Sequence, residues 1–192
     1  KNTFCLARGP YAFVSHHIGD LENVETLQSY EDGIRHFERM FRIQPERIAY
    51  DLHPNYLATR YALERAEREG LPVIGVQHHH AHIAACMAEH ALPDEPVIGV
   101  ALDGTGYGTD GAIWGGEFLL ASYAACQRVY HLAYAPLPGG DAAIRNPART
   151  ALAYCWANGL EWDPALPSVH AFSAQELTTL RLQLEQKVNT PL

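Results

Sequence analysis

Apolar positions along the chain alternate between short runs and longer helical stripes. Residues 3–7 and 11–18 read as neighbouring strands, with Arg8-Gly9-Pro10 as the turn between them. Leu27, Tyr30, Ile34, Phe37 and Phe41 then recur at spacings of 3, 4, 3 and 4, which predicts one helix over 26–43, stopped by Pro45. A strand over 47–51 follows, and Pro54 stands where the next helix would begin. That helix, 55–69, closes at Gly70, a natural C-terminal cap. The run Val73-Ile74-Gly75-Val76 reads as a buried strand and 79–90 as a third helix, closed by Leu92-Pro93. Strand and helix in strict alternation predict an α/β layer with parallel pairing.

The continuously apolar run 97–102 is predicted to be a central strand. It ends in Asp103-Gly-Thr-Gly-Tyr-Gly-Thr-Asp-Gly111, after which 112–122 and 128–134 read as a hairpin around a turn at 124–127. Residues 137–141 form a loop. Helices are expected over 146–158, with Pro147 in the first turn, and over 174–187; Pro164 and Pro167 interrupt between them. Pro93-Asp94-Glu95-Pro96 suggests a boundary between a first α/β subdomain, 1–95, and the start of a second, 96–192. No repeat or low-complexity tract is present.

Composition narrows the class. With 47% hydrophobic and 19% charged residues the chain is that of a folded globular protein. No apolar run approaches the roughly 20 residues that span a bilayer, so no membrane association is expected. Lys1-Asn-Thr-Phe-Cys has no signal-peptide layout and opens directly into a strand, which suggests a piece of a longer chain. A net charge of −8 argues against a nucleic-acid partner. Four cysteines without a CxxC pair argue against a disulfide framework and favour a cytoplasmic setting. Eleven histidines are the oddity, because four of them crowd into five positions at 78–82.

His78 and His82 are one helical turn apart, so both imidazoles can meet a single ion at the mouth of the sheet. The alternative is a polar helix start with surface histidines. Two histidines leave a metal under-coordinated, and a third ligand, often a carboxylate, is then required. His79 and His80 point elsewhere on the helix. The glycine-rich segment carries backbone N–H groups that can cradle phosphate oxygens at Asp103, Gly104, Thr105, Gly106 and Gly108. It matches neither the Walker pattern nor the dinucleotide fingerprint, and an ordinary glycine hairpin remains the competing reading. Asp103 and Asp110 can touch Mg²⁺ or a ribose. Asp141 and Arg145 form either a structural ion pair or an oxyanion grip, with the spacing favouring the pair. Asp51-Leu-His-Pro54 either lines the same cleft or caps a helix. The apolar surroundings of Cys86 predict a core thiol, and no Ser-His-Asp or Cys-His nucleophile pattern is present.

Five stretches, in order, carry a resemblance that covers essentially the whole chain. They are Asp51-Leu-His-Pro-Asn-Tyr56, Val76-Gln-His-His-His-Ala-His82, Ala101-Leu-Asp-Gly-Thr-Gly-Tyr-Gly108, Ile113-Trp-Gly-Gly-Glu-Phe118 and Pro136-Leu-Pro-Gly-Gly-Asp-Ala-Ala143. The chain resembles the HypF carbamoyltransferases, in the first half of their carbamoyl-transfer domain. The resemblance implies part of an actin/Hsp70-like (RNase H-like) nucleotide-binding fold: the first subdomain plus the start of the second. It implies a parent that makes carbamoyl-adenylate from carbamoyl phosphate and ATP and passes the carbamoyl group to the C-terminal cysteine of HypE, for the cyanide ligands of nickel–iron hydrogenases. His78 and His82 become ligands of one divalent ion, Zn or Fe. Asp103, Gly104, Thr105, Gly106 and Gly108 face the nucleotide, and Asp103, Asp141 and Arg145 stand at the chemistry. The family's third metal ligand and adenine-side motif lie past Leu192, so the chain alone is expected to be inert. The second reading is a tRNA threonylcarbamoyladenosine transferase, and the third is a non-catalytic metal- or nucleotide-binding half-domain.

Overall fold

The structure is a computed structural model and describes residues 2–21, 23–104 and 106–192. The chain divides into two compact units, Lys1–His78 and His79–Leu192.

The first unit opens with an antiparallel hairpin of β1 (Cys5–Arg8) and β2 (Tyr11–Val14), with Gly9 at φ 56° in its turn. Helix α1 (Val24–Phe41) starts two residues before its expected onset because the Asn23 side chain accepts the Thr26 N–H at 2.8 Å. It buries Tyr30 and Ile34 against Phe4 and Leu21, with the Phe4 ring edge-on to Tyr30 and Phe37. Strands β3 (Ile48–Asp51) and β4 (Val73–Val76) pair in parallel, and α2 (Leu57–Glu69) is their crossover. The parallel pairing expected from the alternation is therefore real in this unit, as is the glycine cap, with Gly70 at φ 67°.

The second unit is built on α3 (His78–Glu89), whose first residue closes the preceding unit. Next come β5 (Val97–Ala101), β6 (Gly106–Tyr107), β7 (Ile113–Trp114), β8 (Glu117–Ala121) and β9 (Cys126–His131). Strands β5, β8 and β9 form an antiparallel sheet in that order, and β6 pairs with β7 as a small hairpin.

Three expectations are corrected here. The run 97–102 is not central, because β8 is the middle strand. One face of β5 is covered by α3, where Ile83 enters a notch that a Cβ at Gly99 would fill at 2.6 Å. On the other face Ile98 and Leu102 are each 75% exposed. The run 112–122 is not one strand either. It breaks at Gly115-Gly116, whose N–H groups go to the Glu117 carboxylate at 3.1 and 3.2 Å instead of to a neighbouring strand. Cys86 is exposed: α3 buries His79, Ile83 and Met87, four residues apart, and Cys86 lies beside that stripe.

Helices α4 (Asp141–Arg145), α5 (Pro147–Ala157), α6 (Pro167–His170) and α7 (Ala174–Gln186) complete the unit. Pro147 sits in the first turn of α5, and a Ser173–Glu176 capping box opens α7. Two cores result. One joins Ile83, Met87, Trp114 and Leu119; the other joins Leu152, Trp162, Leu180 and Leu184. Among the described residues, no helix is long and apolar enough to cross a membrane.

Candidate functional site: a histidine helix beside a glycine hairpin

Seating Ile83 over Gly99 brings the first turn of α3 to the end of β5, where the chain leaves the sheet at Asp103. The histidines there do different things. The Nδ1–H of His78 donates to Asp51 Oδ2 at 2.6 Å, which leaves Nε2 as the ring nitrogen with a lone pair for a cation. Asp51 is itself fixed, since its Oδ1 accepts the His53 N–H at 2.8 Å. His82 Nε2 stands 3.2 Å from Asp103 Oδ2. Fully buried His79 donates from Nε2 to the Asp103 carbonyl at 3.1 Å, and half-buried His80 donates to the Ser122 carbonyl at 2.8 Å.

His78, His82 and Asp103 each offer one ligand atom, and these atoms all lie within 4.8 Å of one another. Donors around a tetrahedral ion of this ligand type stand about 3.4 Å apart, so the His82–Asp103 spacing already fits. Two imidazoles and a carboxylate are a donor set suited to zinc or iron(II). The expected metal pair is thus joined by a carboxylate that the sequence reading had given to phosphate, magnesium, ribose or the chemistry, and not to this ion. The signal for it was topological: Asp103 follows the end of one strand as His78 follows the end of another.

The glycine segment is shaped by its neighbours. A Cβ at Gly106 would lie 2.0 Å from His79 Cε1, and one at Gly108 would lie 2.2 Å from Trp114 Nε1. The Gly108 N–H donates to Ala112 at 2.9 Å, so this amide is committed to the hairpin and Gly108 can offer a ligand only close approach. Gly104 is exposed, and Thr105 lies outside the described residues.

Behind the hairpin is a charged network that the sequence did not reveal. Arg128 donates to the Glu117 carboxylate, to Asp110 at 3.0 Å and to the Tyr134 hydroxyl at 2.7 Å, with its guanidinium 4.2 Å from the Trp114 ring centre. Asp110 also accepts from Trp114, Ala112 and Tyr134. Desolvation opposes ionisation of Asp110, but the bonds from Tyr134, Ala112 and Trp114 and the Arg128 charge outweigh it, holding the carboxyl well below its usual range.

Asp141 and Arg145 lie exposed at the two ends of α4. Among the described residues, no ion pair joins them to each other and no hydrogen bond joins either to His78, His82 or Asp103, so the pair favoured by their spacing does not form. The guanidinium holding that loop is Arg149, which donates to the Pro138 carbonyl at 3.0 Å; a Cβ at Gly139 would lie 2.5 Å from it.

Comparison with known proteins agrees with this architecture. Residues 1–89 match a family model described as the HypF Kae1-like domain, and 99–192 match one described as the second subdomain of the carbamoyltransferase Kae1-like domain. The chain is 49% identical to carbamoyltransferase HypF2 of Cupriavidus necator, over 92% of this chain and 23% of that protein. It is 47% identical to carbamoyltransferase HypF of Synechocystis, over 81% and 20%. A crystal structure of full-length HypF in the phosphate- and nucleotide-bound form superposes with a TM-score of 0.83 at 46% identity, covering 100% of this chain and 24% of that one. The chain thus spans about a quarter of the length of these relatives or less. Its fold is part of the actin/Hsp70-like, Kae1-like nucleotide-binding fold. The family models describe a HypF carbamoyltransferase rather than a tRNA-modifying relative, and the chain belongs to the HypF family, in its Kae1-like domain.

Proposed function

We propose that the chain forms the part of a HypF-type carbamoyltransferase that receives carbamoyl-adenylate, made in the parent from carbamoyl phosphate and ATP. The carbamoyl group is then delivered to the C-terminal cysteine thiolate of HypE. In this reading His78, His82 and Asp103 hold one divalent cation, zinc or iron, and the turn at Gly104–Gly106 faces the phosphate. Asp141 and Arg145, exposed on α4, serve the acyl or phosphate end. The subdomain boundary is assigned to 93–96, between the two matched ranges, 1–89 and 99–192. The cation would act as a Lewis acid on the acyl-phosphate oxygens. The chain's own contribution is positional. Asp51 fixes the His78 tautomer, and the hairpin presents main chain to an anion at close range. The nucleotide in the matched HypF crystal structure supports the nucleotide reading. One observation carries the metal reading: the convergence of three ligand atoms within 4.8 Å.

The parent protein, tested against a His78→Ala/His82→Ala variant and an Asp103→Asn variant, decides the matter by elemental analysis and by mass spectrometry of carbamoylated HypE. The double variant is expected to lose bound metal and transfer together, and Asp103→Asn to weaken metal binding at least tenfold. Full metal content and full transfer in the double variant would refute the site. The isolated 192-residue chain is expected to show no transfer.

A further inference from the structure

The four histidines at 78–82 are not equivalent, and the buried one has no role in the reading above. His79 is 0% exposed. Its Nε2–H bonds the main-chain carbonyl of Asp103, while its ring lies 5.9 Å from Trp114 and fills the space that a side chain at Gly106 would need. One imidazole on α3 thus touches the backbone on both sides of the turn that carries Asp103, and it belongs to the same helix as His78 and His82. A phenyl or aliphatic side chain would fill the volume without the bond. A shorter polar side chain would keep a donor but leave the space above Gly106 empty.

Resting on the metal reading, we propose that His79 is a positioning residue that couples the cation site to the glycine hairpin. It holds Asp103 at ligand distance from His82 and fixes the hairpin over α3, so that binding at one place orders the other. A ring held in this way can transmit order without touching the ion, because the Asp103 carbonyl and carboxylate belong to one residue. The glycine at 106 is the counterpart of this lock. It is required by the His79 ring, whose Cε1 would lie 2.0 Å from a Cβ at that position.

The test uses the full-length parent protein with cobalt(II) as the metal probe, read by its visible absorption, and hydrogen exchange of the Gly106–Gly111 amides with and without cobalt. His79→Ala is expected to weaken cobalt binding about tenfold and to speed exchange of the hairpin amides. His79→Gln, which can still donate near the Nε2 position, is expected to recover part of both. Gly106→Ala is expected to cause the same two losses in the parent background and markedly smaller ones beside His79→Ala, because the clash is with the ring. That non-additivity is a signature general destabilisation would not give. Unchanged cobalt affinity and unchanged hairpin exchange in His79→Ala would overturn the proposal while leaving the metal site intact. Additive effects of Gly106→Ala and His79→Ala would overturn it too. Absence of cobalt binding in the parent chain would instead count against the metal reading. The exchange cycle would then decide the link between His79 and the hairpin by itself.

Discussion

Each unit contains a nearly buried arginine between two carboxylates, and the two are built for different ends. In the first, Arg65 on α2 bridges Glu38 of α1 at 2.7 Å and Glu69 of its own helix at 3.0 Å. Both carboxylates keep some contact with water, with side chains 17% and 36% exposed. In the second, Arg128 on β9 bridges Asp110 of the hairpin turn and Glu117, whose side chain is only 2% exposed and whose other oxygen caps the Gly115 and Gly116 amides. Arg65 staples helix to helix. Arg128 staples a sheet to the loop that carries the candidate site, and it shapes the backbone there by holding Glu117 where it breaks the strand. Burial of the carboxylate, more than burial of the arginine, distinguishes the two.

That difference is open to direct challenge. Arg128→Met leaves the Glu117 charge buried with only two amides for company, an arrangement that costs about 3–5 kcal/mol. It should also loosen the hairpin, measured as faster exchange of the 106–114 amides. Arg65→Met leaves carboxylates that can turn toward water, so it should cost about 2 kcal/mol and leave hairpin exchange as it was. Exchange measured peptide by peptide separates the two units where a single melting curve would blend them. Equal costs, or hairpin loosening in both variants, would show that the carboxylate's exposure does not set the outcome.

The comparison also shows what could be read from the sequence. The α1 stripe, the βαβ unit closed by Gly70, and the His78/His82 pair were legible because each rests on local spacing or a single backbone preference. The strand break at Gly115-Gly116 was not, because it depends on a carboxylate folding back onto amides and on an arginine eleven residues away. The position of β5 was misjudged for a related reason: an apolar run is the same whether one or both faces are covered. Asp103 was singled out as chemistry, but its place beside His82 depends on Ile83 finding the notch over Gly99, a contact sixteen residues apart in sequence. Arg128 and Tyr134 lie in a strand-like stretch with no motif, and only the fold brings them to Asp110.

A smaller effect tests the second network by pH. The Asp110 carboxyl is depressed in the folded state, so its contribution to stability is present above the unfolded-state value near 4 and is lost as pH falls through the folded value. With 41% of its side chain exposed the contribution is screened to about 1 kcal/mol. Asp110→Asn should therefore lower stability at pH 7, flatten the acid limb below pH 4, and shift hairpin exchange in the same pH window. Acid sensitivity as steep in the variant as in the parent would show that the Arg128 network does not draw its strength from this carboxylate.

The smallest effect provides the control for all of these. Ser173 accepts the Glu176 N–H at the start of α7, and Glu176 reaches back to the Ser173 N–H at 2.8 Å, on the helix that gives Leu180 and Leu184 to the core with Leu152. Ser173→Ala removes one cap in an exposed first turn, which should lower the melting midpoint by about 2 °C. The hairpin belongs to the other core of the same unit, with Trp114, so its exchange should not change. If a lost cap in α7 loosened the 106–114 amides as Arg128→Met does, the hairpin would be reporting the stability of the whole unit. The special role given to the buried Glu117–Arg128 pair would then have no support.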